Sequence, residues 1–213
     1  LFYELMAASG AALFDALRRP TLTGAAAVAA VERLQRLAAK APADLPGWHY
    51  DDVDEALLAG RVAMAAAWPG GYERIRRSDR YESLAPAVYP GGRSYSGCHA
   101  WAIPATCSDV PAAVDLLVRL CSRSAGEREA AAGGVPAHLD ALEAHEPVDD
   151  TDRTRWDVTR ATIDTAMLTY PPLARFPEVE DAGWGALHDA LVGSCSAVYA
   201  VNRMQAAAEA ILG

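Results

Sequence analysis

Residues 56–68 read Ala-Leu-Leu-Ala-Gly-Arg-Val-Ala-Met-Ala-Ala-Ala-Trp, and this stretch decides the fold. Its first residues continue a helix that opens at the acidic segment Asp51–Glu55, and Gly60 closes that helix. The run Val62–Trp68 is apolar, uncharged and ended by Pro69-Gly70-Gly71, which is the pattern of a short buried strand. A helix followed by a buried strand predicts an α/β protein.

Helices and strands are predicted on both sides of this stretch as well. Two more strands are predicted at Ala85–Tyr89 and Cys98–Ile103, each followed at once by a proline. Amphipathic spacing or capping residues predict helices at 1–17, 25–40, 109–121, 125–132 and 155–168, and two more within 186–212 divided at Gly193. The sequence therefore predicts a helix-rich α/β fold with short strands in a mixed sheet.

Composition and charge limit the possible functions. The 213 residues are 52% hydrophobic, with a formal net charge of −9. Nucleic acids and anionic lipids bind mainly through clustered Lys and Arg, so this charge argues against both partners. No apolar stretch is long enough to span a bilayer without charges. The four cysteines lack metal-site spacing, and the sequence leaves open whether they pair or remain free thiols.

Several segments together resemble a known family. The order of Gly60-Arg61, Ala63-Met64 and Trp68, the small-residue segment Tyr95–Pro104 and the turn Gly133–Ala137 are similar to the family 1 extracellular solute-binding proteins. These are the sugar-binding components of ABC importers. The similarity covers nearly the whole chain. At Cys98, where the family commonly has a second glycine, this sequence departs from the pattern.

The resemblance implies a fold and a location. It implies the type II periplasmic-binding-protein fold, with two lobes, of which this chain supplies an incomplete part. Residues 1–90 would belong to the second lobe, 91–150 would return to the first, and 151–213 would form carboxy-terminal helices on the second. The protein would lie outside the cytoplasm, in the periplasm or as a surface lipoprotein, with its export signal outside this chain. It would act as a monomer with the membrane subunits of an ABC importer.

The resemblance also implies a binding site and no catalysis. Lobes that close over a sugar need flat aromatic faces and hydrogen-bonding groups, and no cofactor or metal. Trp68 is the first candidate because it ends a predicted strand beside glycines, whereas Trp101 is predicted to lie in the core. The full set of predicted ligand-binding residues is Trp68, Gly70, Tyr72, Gly97, His99, Arg175 and Trp184.

Two other functions stay open at this point. One is a helix-rich domain that binds a protein partner through its alanine-rich faces. The other, less favoured, is an enzyme that uses Cys98 as a nucleophile activated by His99. Adjacent residues in a strand point to opposite faces, which argues against that pair.

Overall fold

A computed structural model describes residues 1–97 and 99–213, which form two compact units. Unit 1 consists of Leu1–Trp48, Val88–Ser96 and Thr159–Gly213, and unit 2 of His49–Ala87 and Gly97–Val158. In the described part of the chain, no helix combines the length and apolar character needed to cross a membrane. The boundaries predicted near residues 90 and 150 separate the lobes of the whole protein, and they stay a prediction.

Helices dominate the chain. In order along the sequence, the elements are α1 (Phe2–Ala8), α2 (Ala25–Ala38), α3 (Tyr50–Leu58), α4 (Tyr72–Arg76), β1 (Ser94–Tyr95), α5 (Val110–Leu120), α6 (Arg123–Ala131), α7 (Leu139–Glu143), α8 (Asp150–Ala161), β2 (Met167–Leu168), α9 (Phe176–Leu191) and α10 (Ala197–Leu212). Short 3-10 turns occupy Leu45–Gly47, Pro69–Gly71 and Tyr81–Ser83, and a π-helical turn occupies Thr162–Ala166.

Unit 1 holds a continuous apolar core. Helices α9 and α10 pack on each other and on α2, and α1 packs on α2. Met6, Val31 and Val201 are almost wholly enclosed, and small alanines at Ala27 and Ala200 let the helices approach closely. Beside this core, β1 pairs in parallel with β2, with Ser94 opposite Met167 and Tyr95 opposite Leu168.

Unit 2 is built from shorter helices. The His49 amide donates to the Asp52 carboxylate at 2.6 Å and fixes the start of α3, and the Asp109 carboxylate accepts from the Ala112 amide at 3.0 Å at the start of α5. Helix α6 packs on α7. The buried apolar residues of this unit are Ala56, Leu57, Tyr72, Ala130, Ala141, Leu142 and Trp156.

The prediction of three strands is wrong, because none of them is present among the described residues. Residues 62–68, 85–89 and 99–103 belong to no strand, and Cys98 lies outside the described residues. Apolar runs become strands only when another strand supplies hydrogen-bond partners. The two strands that do form, β1 and β2, are two residues each and carry too little periodicity for a sequence to reveal them.

Most predicted helices are confirmed, with two corrections. The helix expected over residues 155–168 is present as α8 only as far as Ala161, and residues 167–168 form β2. The helix expected over residues 1–17 covers only Phe2–Ala8, because the chain turns at Gly10, whose φ of +74° is a left-handed conformation. The helices predicted at 25–40 and 109–121 are present as α2 and α5. Gly193, with a φ of +77°, separates α9 from α10 as expected.

Candidate ligand-binding site around Trp68

Trp68 lies at the end of the apolar run, directly before the 3-10 turn Pro69–Gly71. Its side chain is 50% exposed, so about half of a large aromatic surface faces solvent. The covered part of the ring packs on Gly97, where an added Cβ would come within 3.2 Å of Cζ3 and 3.3 Å of Cη2. Glycine at position 97 therefore allows the indole to lie against the backbone.

The turn after Trp68 packs against a buried carboxylate. Asp54, on α3, is 6% exposed, and its oxygens occupy the space in which Gly71 would carry a side chain. Burial is the main cause of the raised pKa of Asp54. The positive charge of Arg74 lowers this pKa, and the negative charge of Asp51 raises it. This contact requires glycine at position 71 and ties the turn to α3.

Tyr72 follows the turn and belongs to a buried polar cluster. Its hydroxyl lies 3.0 Å from the Tyr81 hydroxyl, which donates to Asp149 at 2.8 Å. The Arg155 guanidinium lies 4.1 Å from the centroid of the Tyr72 ring and 4.1 Å from that of Trp156. The Tyr72 ring is therefore covered by Arg155.

Asp152 neutralises Arg155 within this cluster. One of its oxygens accepts from Arg155 Nε and Nη2, both at 3.0 Å, and the other lies 3.1 Å from the Val148 amide and from His145 Nε2. Burial acts to raise the pKa of Asp152, but the hydrogen bonds from His145, Val148 and Arg155 outweigh it and lower the pKa. The cluster thus holds an ionised, well-bonded pair inside unit 2.

The other predicted site residues of unit 2 lie on its surface. Gly70 and His99 are exposed. Trp101 is 67% exposed, so the prediction that it fills the core is wrong. That prediction assumed a strand over residues 98–103, whereas the described residues 99–103 belong to no strand and residues 99–102 are exposed. Trp101 joins Trp68 as an accessible indole of this unit.

Two predicted residues, Trp184 and Arg175, lie in unit 1. Trp184 lies on α9 and is 63% exposed. Arg175 precedes α9, and its Nε donates to Glu178 at 3.0 Å while Nη1 donates to the Ile211 carbonyl oxygen. Arg175 is therefore engaged in fixing the start of α9 and the end of α10. Its predicted contact with a ligand stays a prediction, as does that of Trp184.

Unit 1 also contains a cavity that was not predicted from the sequence. It has a volume of about 240 Å³, and its lining includes the rings of Tyr3, Phe14 and Tyr170 and the charged residues Asp15 and Arg18. Tyr170 stacks edge-on with Tyr95 and Phe176, at ring separations of 5.0 and 5.6 Å. The lining combines residues 3–18 with residues 169–173, so no local pattern could have grouped them.

The family model for bacterial extracellular solute-binding proteins matches residues 1–154 of the chain. The chain belongs to that family. This match confirms the resemblance noted from the sequence. It also confirms the expected location outside the cytoplasm, where the proteins of this family act. No curated protein matches the chain.

Solved structures of similar fold match nearly the whole chain. The solute-binding protein resembles maltose-bound MalE3 of T. maritima, with a TM-score of 0.83 and 19% identity over 99% of the chain. It also resembles the ABC substrate-binding protein Lmo0181 from Listeria monocytogenes in complex with cycloalternan, with a TM-score of 0.70 and 14% identity over 98% of the chain. The predicted type II periplasmic-binding-protein fold is confirmed. The chain spans about 56% and 55% of the lengths of these two proteins.

Proposed function

We propose that this solute-binding protein captures a carbohydrate outside the cytoplasm and delivers it to the membrane subunits of an ABC importer. It does so as a monomer, by closing two lobes over the ligand and without catalysis. The observation that carries the proposal is the Trp68 indole, which is backed by Gly97 and half open to solvent. Sugars offer flat C–H faces, and a rigid exposed indole binds such faces at little cost in conformational entropy.

The surroundings of Trp68 fit a binding role. A binding platform must keep its orientation before the ligand arrives, because ordering it on binding lowers the affinity. The Asp54 carboxylate packs against Gly71 in the turn, and the Arg155 guanidinium covers the next residue, Tyr72. Both residues that follow Trp68 in the turn region are thus packed against other parts of unit 2. Two of the structurally similar proteins are a maltose-bound and a cycloalternan-bound protein, which agrees with a carbohydrate ligand here.

The test is to record thermal melts, with and without sugars, of the protein extended to the length of its structural relatives. A ligand at about one hundred times its dissociation constant adds roughly 2.7 kcal/mol, which raises Tm by several degrees. We expect such a shift with at least one mono- or oligosaccharide, and its loss in Trp68→Ala. Tyr50→Ala is the matched control, since Tyr50 is an exposed aromatic residue of the same unit outside the predicted site.

Either of two results would overturn parts of this proposal. A sugar-induced shift that persists in Trp68→Ala would show that the platform lies elsewhere, and Trp101→Ala and Trp184→Ala would then be the next variants. The absence of any shift across a broad sugar panel, with a shift from another solute class, would contradict the carbohydrate assignment.

A further inference from the structure

The cavity of unit 1 whose walls include the rings of Tyr3, Phe14 and Tyr170 is called the tyrosine cavity below. All of its lining residues belong to unit 1, and none belongs to the candidate site around Trp68. Its volume is about 240 Å³, whereas pockets for drug-sized ligands occupy roughly 300–1,000 Å³. The tyrosine cavity therefore has room for one small ring and not for an oligosaccharide.

The walls of the tyrosine cavity combine flat apolar faces with hydroxyl groups. Tyr95 packs on both tyrosine rings, at ring separations of 6.4 Å from Tyr3 and 5.0 Å from Tyr170, so a common neighbour holds the two rings. The hydroxyls of Tyr3, Tyr170 and Thr169, which also lines the cavity, have no hydrogen-bond partner among the described residues. Such walls suit a sugar ring, which offers a C–H face and several hydroxyls.

Arg18 lines the same cavity in an uncommon backbone conformation. Its φ of +62° lies in the left-handed region, which is energetically costly for an arginine. The surrounding loop is closed by Asp15, whose carboxylate accepts from the Leu17 and Arg19 amides, both at 2.9 Å. The Asp15 carbonyl oxygen accepts from the Arg18 amide, also at 2.9 Å. Backbone strain that the surrounding structure maintains in this way is concentrated at ligand-binding sites.

The charges around the cavity leave one guanidinium without a partner. Asp15 and Arg18 are the charged residues of the lining. Asp15 is already paired, since its Oδ2 lies 2.7 Å from Nη2 and 2.8 Å from Nε of Arg19. Hydrogen bonds from the Arg19 amide and side chain lower the pKa of Asp15, which keeps the carboxylate ionised. Within the described chain, the exposed Arg18 side chain has neither an ion pair nor a hydrogen bond.

We infer that the tyrosine cavity binds a monosaccharide that carries a carboxylate, of the hexuronate class. The sugar ring lies against Tyr3 and Tyr170, and its carboxylate pairs with the Arg18 guanidinium, whose planar fork matches two carboxylate oxygens. A phosphate group carries about −1.5 to −2 charges at neutral pH, which one guanidinium does not balance. A neutral sugar gains nothing from this guanidinium. The inference goes beyond the proposed function and does not depend on Trp68.

Isothermal titration calorimetry of the protein extended to the length of its structural relatives tests the inference. The probes are glucuronate and galacturonate, with glucose and galactose as the neutral counterparts. We expect a uronate to bind and its affinity to fall by about ten- to a hundredfold in Arg18→Met, as for the loss of hydrogen bonds to a charged group. Arg33→Met is the matched control, because it removes the same charge from an exposed position on α2 outside the cavity lining.

Two further variants separate loss of the ligand contact from loss of the fold. Arg18→Gly removes the guanidinium, but glycine adopts a positive φ without strain, so we expect the same loss of uronate binding with no fall in Tm. Arg18→Lys keeps the charge without the planar fork, and we expect it to retain part of the affinity. Trp68→Ala should leave the uronate affinity of the tyrosine cavity unchanged.

The results also separate this inference from the proposed function. Uronate binding that is lost in Arg18→Gly, together with no thermal shift from any neutral sugar, would support the inference and contradict the proposed role of Trp68. The absence of uronate binding, or equal binding in the parent protein, Arg18→Met and Arg18→Gly, would overturn the inference. Uronate binding that is lost in Trp68→Ala alone would do the same, since it would place the uronate at Trp68. Tighter binding of a hexose phosphate than of either uronate would overturn the carboxylate assignment.

Discussion

The carboxylate of Asp54 fills the space in which Gly71 would carry a Cβ atom. A Cβ built at Gly71 would overlap Oδ2 and come within 2.8 Å of Oδ1. Asp54 lies on α3, and Gly71 closes the turn that starts at Trp68. The turn that follows Trp68 is therefore in contact with a helix that lies earlier in the chain.

Gly71→Ala is expected to destabilise the protein. The added methyl group must displace a buried carboxylate, and overpacking of this kind costs about 1–3 kcal/mol. Gly70→Ala is the matched control, because nothing lies within 4 Å of a Cβ at the adjacent position. Chemical denaturation of both variants measures the difference, and similar losses of stability would show that Asp54 moves aside freely.

Arg155→Met is expected to lower the free energy of unfolding by about 3 kcal/mol or more, because it leaves the Asp152 carboxylate buried without its cationic partner. It also removes the cation that lies between Tyr72 and Trp156. Arg153→Met provides the control on the same helix, since Arg153 is exposed. If both variants melt within a degree of the parent protein, the cluster does not stabilise unit 2.

Asp152 should make stability depend on pH. Its pKa is lowered in the folded protein relative to about 3.9 in the unfolded chain, so it stabilises the fold above that value. This contribution is lost as the pH falls through the folded-state pKa. The difference in Tm between the parent and Asp152→Asn is thus expected to be largest near neutral pH and to shrink below about pH 4.

The control for this pH series is Asp157→Asn, an exposed position on the same helix. A difference between parent and Asp152→Asn that stays constant from pH 7 to pH 3 would contradict the assignment, since it would mean that the substitution acts through packing alone.

Gly97→Ala is expected to displace the Trp68 indole. The new Cβ would lie 3.2 Å from Cζ3 of the ring, which is tighter than an ordinary contact. We expect a change in tryptophan fluorescence that is absent when the same substitution is made in a Trp68→Phe background. Gly24→Ala is the control, because nothing lies within 4 Å of a Cβ there. Under the proposed function, Gly97→Ala also weakens sugar binding.

The sequence could predict features that depend on neighbouring residues. The spacing of Val31 and Leu34 predicted α2, and the cap at Asp109 predicted α5, because helices close their hydrogen bonds locally. The order of Gly60, Met64 and Trp68 indicated the family, and the family indicated the fold. These conclusions needed no knowledge of distant contacts.

The tertiary structure decided everything that depends on distant partners. The runs 62–68 and 99–103 carry strand-like sequences, but a strand exists only where another chain segment pairs with it, so Trp101 is exposed where a core position was expected. The contacts of Trp68 with Gly97, of Gly71 with Asp54 and of Tyr72 with Arg155 join residues 17 to 83 positions apart. Sequence alone determined helices such as α2 and α5, and the family, because these follow from local hydrogen bonding and local motif order. Only the folded chain determined which aromatic faces are open and what holds them, because side-chain packing brings together residues that no local pattern relates.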